Sequence, residues 1–379
     1  MQIIYKLSFG KSETLSGIKR IKQNEALMTK LSIIFPVYNV EKYIHPSLES
    51  IFKQGLEDAN FEVIIVNDGS TDRSMEMIAD IIQQHNNIIV INQENQGLSV
   101  ARNNGIAKAR GEYFFMPDSD DLLIYNSLPF LLEQALSSRA DMVIADFIKL
   151  YDEEIDRLQI DSIKHKEARI IEKTGKEMLV EDLSPYECYV WRTLYRRQFI
   201  IDNHITFTPG ILYQDVPFTH ECYLKAHKCI KTNWLLNLYR KRRKGSATYS
   251  FNMKKANDFC VVIRETWELT RLEGLSPQVL RKIQDDAFTT FSVMLWSTSH
   301  AIKKSSDRIK VIECLKREAP ELDFKNGWKQ RVSSFMLKKM PHIFIRCRYL
   351  YDVFIEDKLL TFFRHKIKPI ISNNNGNKN

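Results

Sequence analysis

Apolar residues along this chain fall into short, nearly continuous runs separated by stretches of helical periodicity. Residues 31–37 (Leu31 to Val37), 61–66 (Phe61 to Val66), 88–91 (Ile88 to Ile91) and 113–117 (Tyr113 to Pro117) are such runs, and they read as strands buried on both faces. Helical spacing of apolar residues over 41–53, 74–85 and 98–109 places a helix after each of the first three. Strands alternating with helices of this length predict an α/β fold, a mostly parallel sheet with right-handed crossovers. The turns that follow successive strands then gather along one edge, where open α/β sheets bind ligands. After about residue 251 the pattern becomes helical, over 256–271 and 277–299, and Trp267 and Trp296 are expected to pack inside.

The turns carry the chemistry. Asp118-Ser119-Asp120-Asp121 follows the fourth apolar run directly, so a strand delivers three carboxylates to the ligand-binding edge. Clustered carboxylates repel one another unless solvated or neutralised by a cation, and hard oxygen donors suit Mg²⁺ or Mn²⁺. The plainer reading is an Asp-rich turn capping the next element. Asp68 stands just after the second strand, able to accept hydrogen bonds from a base imide or a ribose hydroxyl, or with Asp72 to fold the turn. Arg102 and Asn103 lie one turn inside the third helix; the arginine can pair with the acidic cluster or with phosphate. No Gly-x-Gly-x-x-Gly follows the first strand and no Gly-Lys-Ser/Thr loop occurs, which argues against a Rossmann dehydrogenase and a P-loop nucleotidase.

Composition narrows the setting. With 379 residues and 44% hydrophobic content, the chain is long enough for one large α/β domain and a smaller appendage. Six scattered cysteines without a Cys-x-x-Cys pair suggest neither a zinc site nor a disulfide framework, which fits a cytoplasmic protein. No apolar stretch reaches the roughly 18–20 residues of a membrane helix, and no signal peptide precedes the first strand. The net charge of +8 sits at the C-terminal end: residues 325–379 hold twelve Lys and Arg against three Asp and Glu, leaving 43 basic against 44 acidic residues before them. Residues 333–348 and 349–368 mix those cations with Phe, Ile, Leu and Tyr, a composition that suits helices on an anionic membrane surface or a solvated face packed on the domain. The aromatics match no nucleic-acid-binding motif, so no nucleic acid partner is expected.

Four motifs in order resemble glycosyltransferase family 2: Phe35-Pro36-Val37-Tyr38-Asn39, Asn67-Asp68-Gly69-Ser70-Thr71-Asp72, Asn95-Gln96-Gly97-Leu98-Ser99-Val100-Ala101-Arg102-Asn103, and the acidic turn at 118–121. The resemblance covers roughly residues 31–250 and implies the GT-A fold. It implies a nucleotide held by Pro36, Tyr38, Asn39, Glu41, Asp68, Arg102 and Asp118, with Asp68 on the base and Asp118 on the ribose. Asp120 then holds Mn²⁺ or Mg²⁺, and Asp121 steadies the turn. Asn67 stands where many relatives have Asp.

Residues 191–200 and 207–218 resemble the family's segment before its catalytic acid, which puts Asp215 in the position of the base; an N-cap for the following helix is the plainer role for that aspartate. Gln214 replaces the Glu or Asp that relatives usually have before it. Leu238-Tyr239-Arg240-Lys241-Arg242-Arg243-Lys244-Gly245-Ser246 is similar to the family's Tyr-Arg-x-Arg-x-Gly-Ser loop, which implies diphosphate contacts from Arg240 and from Arg242 or Arg243. His204 and His220 are read as structural.

Together these features imply a metal-dependent, inverting transferase moving a sugar from a nucleotide-sugar, a UDP-sugar, to a saccharide or lipid-linked saccharide acceptor in cell-surface polysaccharide assembly. The alternatives are a catalytically silent GT-A domain serving as a membrane-bound assembly partner, and a nucleotidyltransferase. The expected organisation is an extension over 1–29, the GT-A domain over 30–250, a basic amphipathic helical region over 251–370 that touches the inner membrane face, and a disordered tail over 371–379.

Overall fold

The computed structural model describes residues 29–155, 157–241, 245 and 250–356. Most of the expected extension, Arg242, Arg243 and the Asn-rich tail lie outside the described residues. The strands are β1 (Leu31–Val37), β2 (Phe61–Asp68), β3 (Ile88–Gln93), β4 (Tyr113–Phe115), β5 (Leu122–Leu123), β6 (Met142–Tyr151), β7 (Ile170–Lys173), β8 (Thr193–Arg196) and β9 (Cys229–Lys241). They form one sheet in the order β3-β2-β1-β4-β8-β6-β9-β5, with β7 added on β9. The first four strands run parallel, as the alternation predicts, whereas β8 lies antiparallel to both β4 and β6.

The helices are α1 (Ile44–Phe52), α2 (Ala79–Gln84), α3 (Leu98–Lys108), α4 (Leu128–Ser138), α5 (Asp152–Ile155), α6 (Gly175–Glu181), α7 (Arg197–Asp202) and α8 (Asp215–Lys225), then α9 (Met253–Glu268), α10 (Pro277–Ala301), α11 (Ser305–Glu318), α12 (Trp328–Lys339) and α13 (Pro341–Leu350). Because successive strand residues face opposite ways, Leu31, Ile33 and Phe35 pack with Ile44, Leu48 and Ile51 of α1 on one face. Ile34, Ile64 and Val66 pack with Ala101 and Ile106 of α3 on the other. The helix expected over 74–85 is split into a short 3₁₀ turn, Glu76–Ile78, and α2. Its intended first turn is occupied elsewhere: Ser74 bonds through its backbone N–H to Asp72 at 3.0 Å and through its hydroxyl to the Val40 N–H at 2.8 Å.

A third core unites α9 to α13 around Phe291, Phe324 and Phe344. Trp267 packs there, edge-on to Phe324. Trp296 does not. It is 42% exposed and tilts against His300, because α10 buries the stripe of Ile283, Ala287, Phe291, Met294 and Thr298 and Trp296 stands on the opposite side. The helical region is tied to the sheet domain through His220 of α8, whose Nε2 meets Asp286 of α10 at 2.9 Å with Lys282 on the same carboxylate. Burial works against charge on this ring, yet the contacts with Asp286 and Cys188 hold its pKa up at about 10. His220 is thus structural, as expected.

At the opposite edge from the ligand turns, Glu62 is buried and accepts from Ser32 Oγ and the Arg110 N–H, each at 2.7 Å. Gly111 N–H bonds Ser32 Oγ at 2.8 Å, which pulls the start of β4 against β1. A Cβ at Gly111 would lie 2.5 Å from Ser32 N and 2.7 Å from Tyr113 O, both backbone atoms that cannot give way. Gly111→Ala is therefore expected to destabilise the protein by roughly 1–3 kcal/mol through overpacking, read as a lower midpoint in urea unfolding; an unchanged midpoint would show that the β1–β4 approach tolerates a methyl group.

Candidate active site

Along β1, β4 pairs only with Leu31–Ile33, whereas β1 continues to Val37, so the chain leaves the sheet after Phe115 and turns across its edge. The turn closes with Asp121 N–H on Asp118 O at 3.2 Å. β5 then pairs antiparallel with β9, Leu122 opposite Leu238, which brings the turn against Arg240. Arg240 N–H donates to Asp121 Oδ1 at 2.7 Å and Arg240 Nε to Asp120 O at 2.9 Å. One carboxylate oxygen from each of Asp118, Asp120 and Asp121 lies within 4.8 Å of the others. Asp121 Oδ2 is buried without a hydrogen-bond partner among the described residues. Burial first, then repulsion from Asp120 and Asp118, pushes the Asp121 carboxyl well above the ordinary range. Asp118 is pushed up to about 7, by burial above all, with Arg102 opposing and Asp120 and Asp215 adding to the rise. An all-oxygen donor set with crowded charge and an orphaned buried oxygen fits a hard divalent cation.

Arg102 binds this cluster to a residue far along the chain. Its side chain is 1% exposed, with Nη2 2.9 Å from Asp118 Oδ1 and Nη1 2.6 Å from Asp215 Oδ1. Its neighbour Asn103 accepts from Phe207 N–H at 3.0 Å and donates to Phe207 O at 2.8 Å, which clamps the segment before α8 onto α3. Asp215 is the first residue of α8, and Gln214, at the cap, makes no side-chain capping bond. The capping role is therefore not what Asp215 does: its carboxylate bonds Arg102 instead. Burial raises its pKa and Arg102 pulls it back.

The nucleotide-side candidates are spread along the edges of the first two strands. Pro36 is buried within β1 and Tyr38 is exposed just beyond it. Asn39, at φ 52°, accepts through Oδ1 from Thr71 N–H at 2.9 Å and Asp72 N–H at 3.3 Å. Glu41 N–H bonds Asp72 Oδ2 at 3.0 Å, and Glu41 Oε2 accepts from Arg73 N–H at 3.1 Å. These bonds lace the two strand-end turns together. Asp68 is buried and accepts from Gln93 Nε2 at 2.7 Å, Gln96 N–H at 2.8 Å and Gly97 N–H at 2.9 Å. Its carboxylate thereby sets Gly97, at φ 87°, the residue from which α3 and Arg102 start.

An open cleft of about 620 Å³ is lined by Asn39, Glu41, Tyr43, Asp72, Asp152 and Lys241, among others. Asp118, Asp215 and Asp68 are not on its wall. Arg240 is buried and its guanidinium is engaged by Asp152 Oδ1 at 2.5 Å and by the Tyr43 ring at 4.7 Å. Tyr43 and Asp152 were not legible as site residues, because neither belongs to a motif.

A second group escaped sequence reasoning. Tyr189 stacks on Trp191 at 4.7 Å, Trp191 on Tyr239 at 5.1 Å, and Phe147 meets Trp191 edge-on at 4.9 Å. Val190, between the first two, lies close enough for its backbone N–H to lower the Asp215 pKa. Burial first, then Tyr189 and the three carboxylates of the acidic turn, pushes the Tyr239 hydroxyl upward. Its only signal in sequence was the alternation Tyr189-Val190-Trp191.

Replacing the guanidinium would leave two partly buried carboxylates facing each other. Arg102→Met is expected to cost roughly 3–5 kcal/mol at neutral pH. Arg102 lowers the folded-state pKa of both acids; without it they titrate higher, so the deficit grows as pH rises and shrinks on acidification. Urea unfolding at pH 5 and pH 8 reads this, and equal deficits at both would remove the electrostatic role.

The family model for glycosyl transferase family 2 matches residues 32–202. Glycosyltransferase GlyG of Streptococcus pneumoniae serotype 4 is 31% identical over 266 residues, which is 66% of this chain and 84% of that protein. The uncharacterized glycosyltransferase EpsJ of Bacillus subtilis is 35% identical over 215 residues, covering 55% of this chain and 60% of that one. Among solved structures, residues 1–349 of TarS from S. aureus in complex with UDP-GlcNAc superpose with a TM-score of 0.67 at 21% identity, over 85% of this chain and 91% of that chain, a likeness of fold. The motifs at the sheet edge, the GT-A architecture and the relatives agree: this chain belongs to glycosyltransferase family 2 and is a glycosyltransferase.

Proposed function

We propose that this chain is a metal-dependent, inverting glycosyltransferase that moves a sugar from a UDP-sugar to a saccharide or lipid-linked saccharide acceptor, in cell-surface polysaccharide assembly at the inner face of the membrane. The observation that carries the reading is the guanidinium of Arg102 between Asp118 at 2.9 Å and Asp215 at 2.6 Å, which sets an acidic cluster and a separate carboxylate on either side of one buried cation. The solved relative bound to UDP-GlcNAc supports the choice of donor. Residues 30–250 carry the chemistry, and the described helices from Met253 to Leu350 form an accessory region. No helix among the described residues is long and apolar enough to cross a membrane.

In this reading Asp118, Asp120 and Asp121 hold Mn²⁺ or Mg²⁺, which when bound supplies positive charge to the donor diphosphate. Asp118 also reaches the ribose, Asp68 and the Asn39–Glu41 turn the nucleoside, and Arg240 with Arg242 or Arg243 the phosphates. Aromatic rings are good platforms for the apolar faces of sugars, so the half-buried Tyr189 and Tyr239, stacked on either side of Trp191, favour a saccharide acceptor. Asp215 takes the proton of the acceptor hydroxyl as its oxygen bonds to the anomeric carbon, while the bond from that carbon to the diphosphate oxygen breaks and the nucleotide leaves with the electron pair. Arg102 positions the base through one carboxylate oxygen.

Asp215→Asn is expected to lower transfer by about 10²–10⁴-fold with UDP-sugar binding retained; unchanged turnover would remove Asp215 as base. Asp118 must shed a proton held up to about 7 before the cluster is fully charged, so Mn²⁺ should raise the melting temperature more at pH 7.5 than at pH 5.5, and Asp120→Asn should abolish that gain. A shift that is independent of pH, or that survives Asp120→Asn, would place the cation elsewhere.

A further inference from the structure

Helix α12 is built inside out. Its inward stripe carries Gln330 and Ser334 with Leu337, and the two polar side chains fix the rotation of the helix: Gln330 Nε2 bonds Asp285 at 2.6 Å, and Ser334 Oγ accepts from Phe324 N–H at 2.7 Å. Its outward stripe carries Trp328, Val332 and Phe335, at 71%, 48% and 57% exposure. The spacing of i, i+4 and i+7 puts all three on one face. Turning that face inward would break both polar anchors, so the packing of the domain itself presents the hydrophobic stripe to the outside. Helix α13 continues the pattern, with Phe344 and Ile345 buried and Ile343 and Leu350 exposed.

The charged side chains of α12 and α13 are all of one sign. Between Asp323 and Asp352 the sequence has no Asp or Glu, and Lys329, Arg331, Lys339 and Arg346 are exposed among the apolar side chains. Lys325 and Lys338 pair with Asp323 at 2.9 Å each. A face of large hydrophobics interleaved with cations is complementary to an anionic lipid surface, where rings and aliphatic chains enter the headgroup region and the ammonium and guanidinium groups meet phosphate. A second copy would set two basic faces against each other. The chain's own residues 357–379, with five Lys and Arg against one Asp, are also basic and fit it poorly.

We propose that the outward stripe of α12, extended by Ile343 and Leu350 of α13, docks the enzyme on a bilayer containing anionic phospholipid. This deepens the membrane-side part of the proposed function and holds the catalytic edge at a surface where lipid-linked saccharides reside. Cosedimentation of the full chain with vesicles of phosphatidylcholine alone, or of equal parts phosphatidylcholine and phosphatidylglycerol, tests it. Binding is expected to the mixed vesicles, at least about tenfold weaker to the neutral ones, and reduced by salt. W328S/F335S and K329E/R331E should each weaken binding by about tenfold or more, with the melting temperature and hydrolysis of UDP-sugar in solution unchanged. Hydrolysis separates the two readings, since an inactive protein that still binds vesicles would overturn the catalytic one alone. The docking proposal is overturned by absent binding, by equal binding to both vesicles, by either double variant binding as the parent does, or by light scattering showing a dimer that W328S/F335S dissociates.

Discussion

A single guanidinium without access to water holds this site together. Arg102 is buried, and a charge in that position is tolerable only because two carboxylates meet it from different directions. Asp118 comes from the end of a central strand and Asp215 from the start of a helix 113 residues away from the arginine. The desolvation that makes each of these groups costly alone makes the three a rigid unit together. Around it the structure adds constraints that serve the same purpose: Asp68 sets the turn from which the arginine's helix begins, and Asn103 clamps the segment that leads to Asp215.

The acidic turn is the counterpart of that unit, because it contains more negative charge than Arg102 can balance. Arg240 reaches Asp121 by its backbone N–H and Asp120 by its side chain, yet one oxygen of Asp121 stays without a partner among the described residues. Such an excess of buried carboxylate is an unfavourable arrangement for folding alone and a favourable one for holding a cation. The opposite imbalance occurs at the far end of the described residues, where cations and exposed hydrophobics share two helices that contain no acid. The protein thus separates its excess charge, negative at the sheet edge and positive on the helical appendage, with the His220–Asp286 pair joining the two regions.

Much of this was legible in the chain. Nearly continuous apolar runs such as Leu31 to Val37 announced the parallel strands, since such runs are stable only with both faces covered. The acids and arginine of the site stood at strand ends and helix starts, where local pattern predicts exposure to a ligand. Trp296 was misread because its helix buries one stripe and periodicity alone does not say which. The aromatic box was hidden for a related reason: Phe147, the Tyr189–Trp191 pair and Tyr239 belong to three separate segments, and their stacking depends on β6 pairing with β9.

The sequence by itself determined the α/β alternation, the turns that bear functional groups and the concentration of positive charge after residue 324, because each depends on neighbours along the chain. Tertiary structure alone decided that Asp215 answers Arg102 instead of capping its own helix. It also decided that Asp121 meets Arg240 across 119 residues, and that α12 turns its polar side inward and its tryptophan out. Such choices follow from which surfaces come together and exclude water, and for residues far apart in the chain only the folded structure sets those terms.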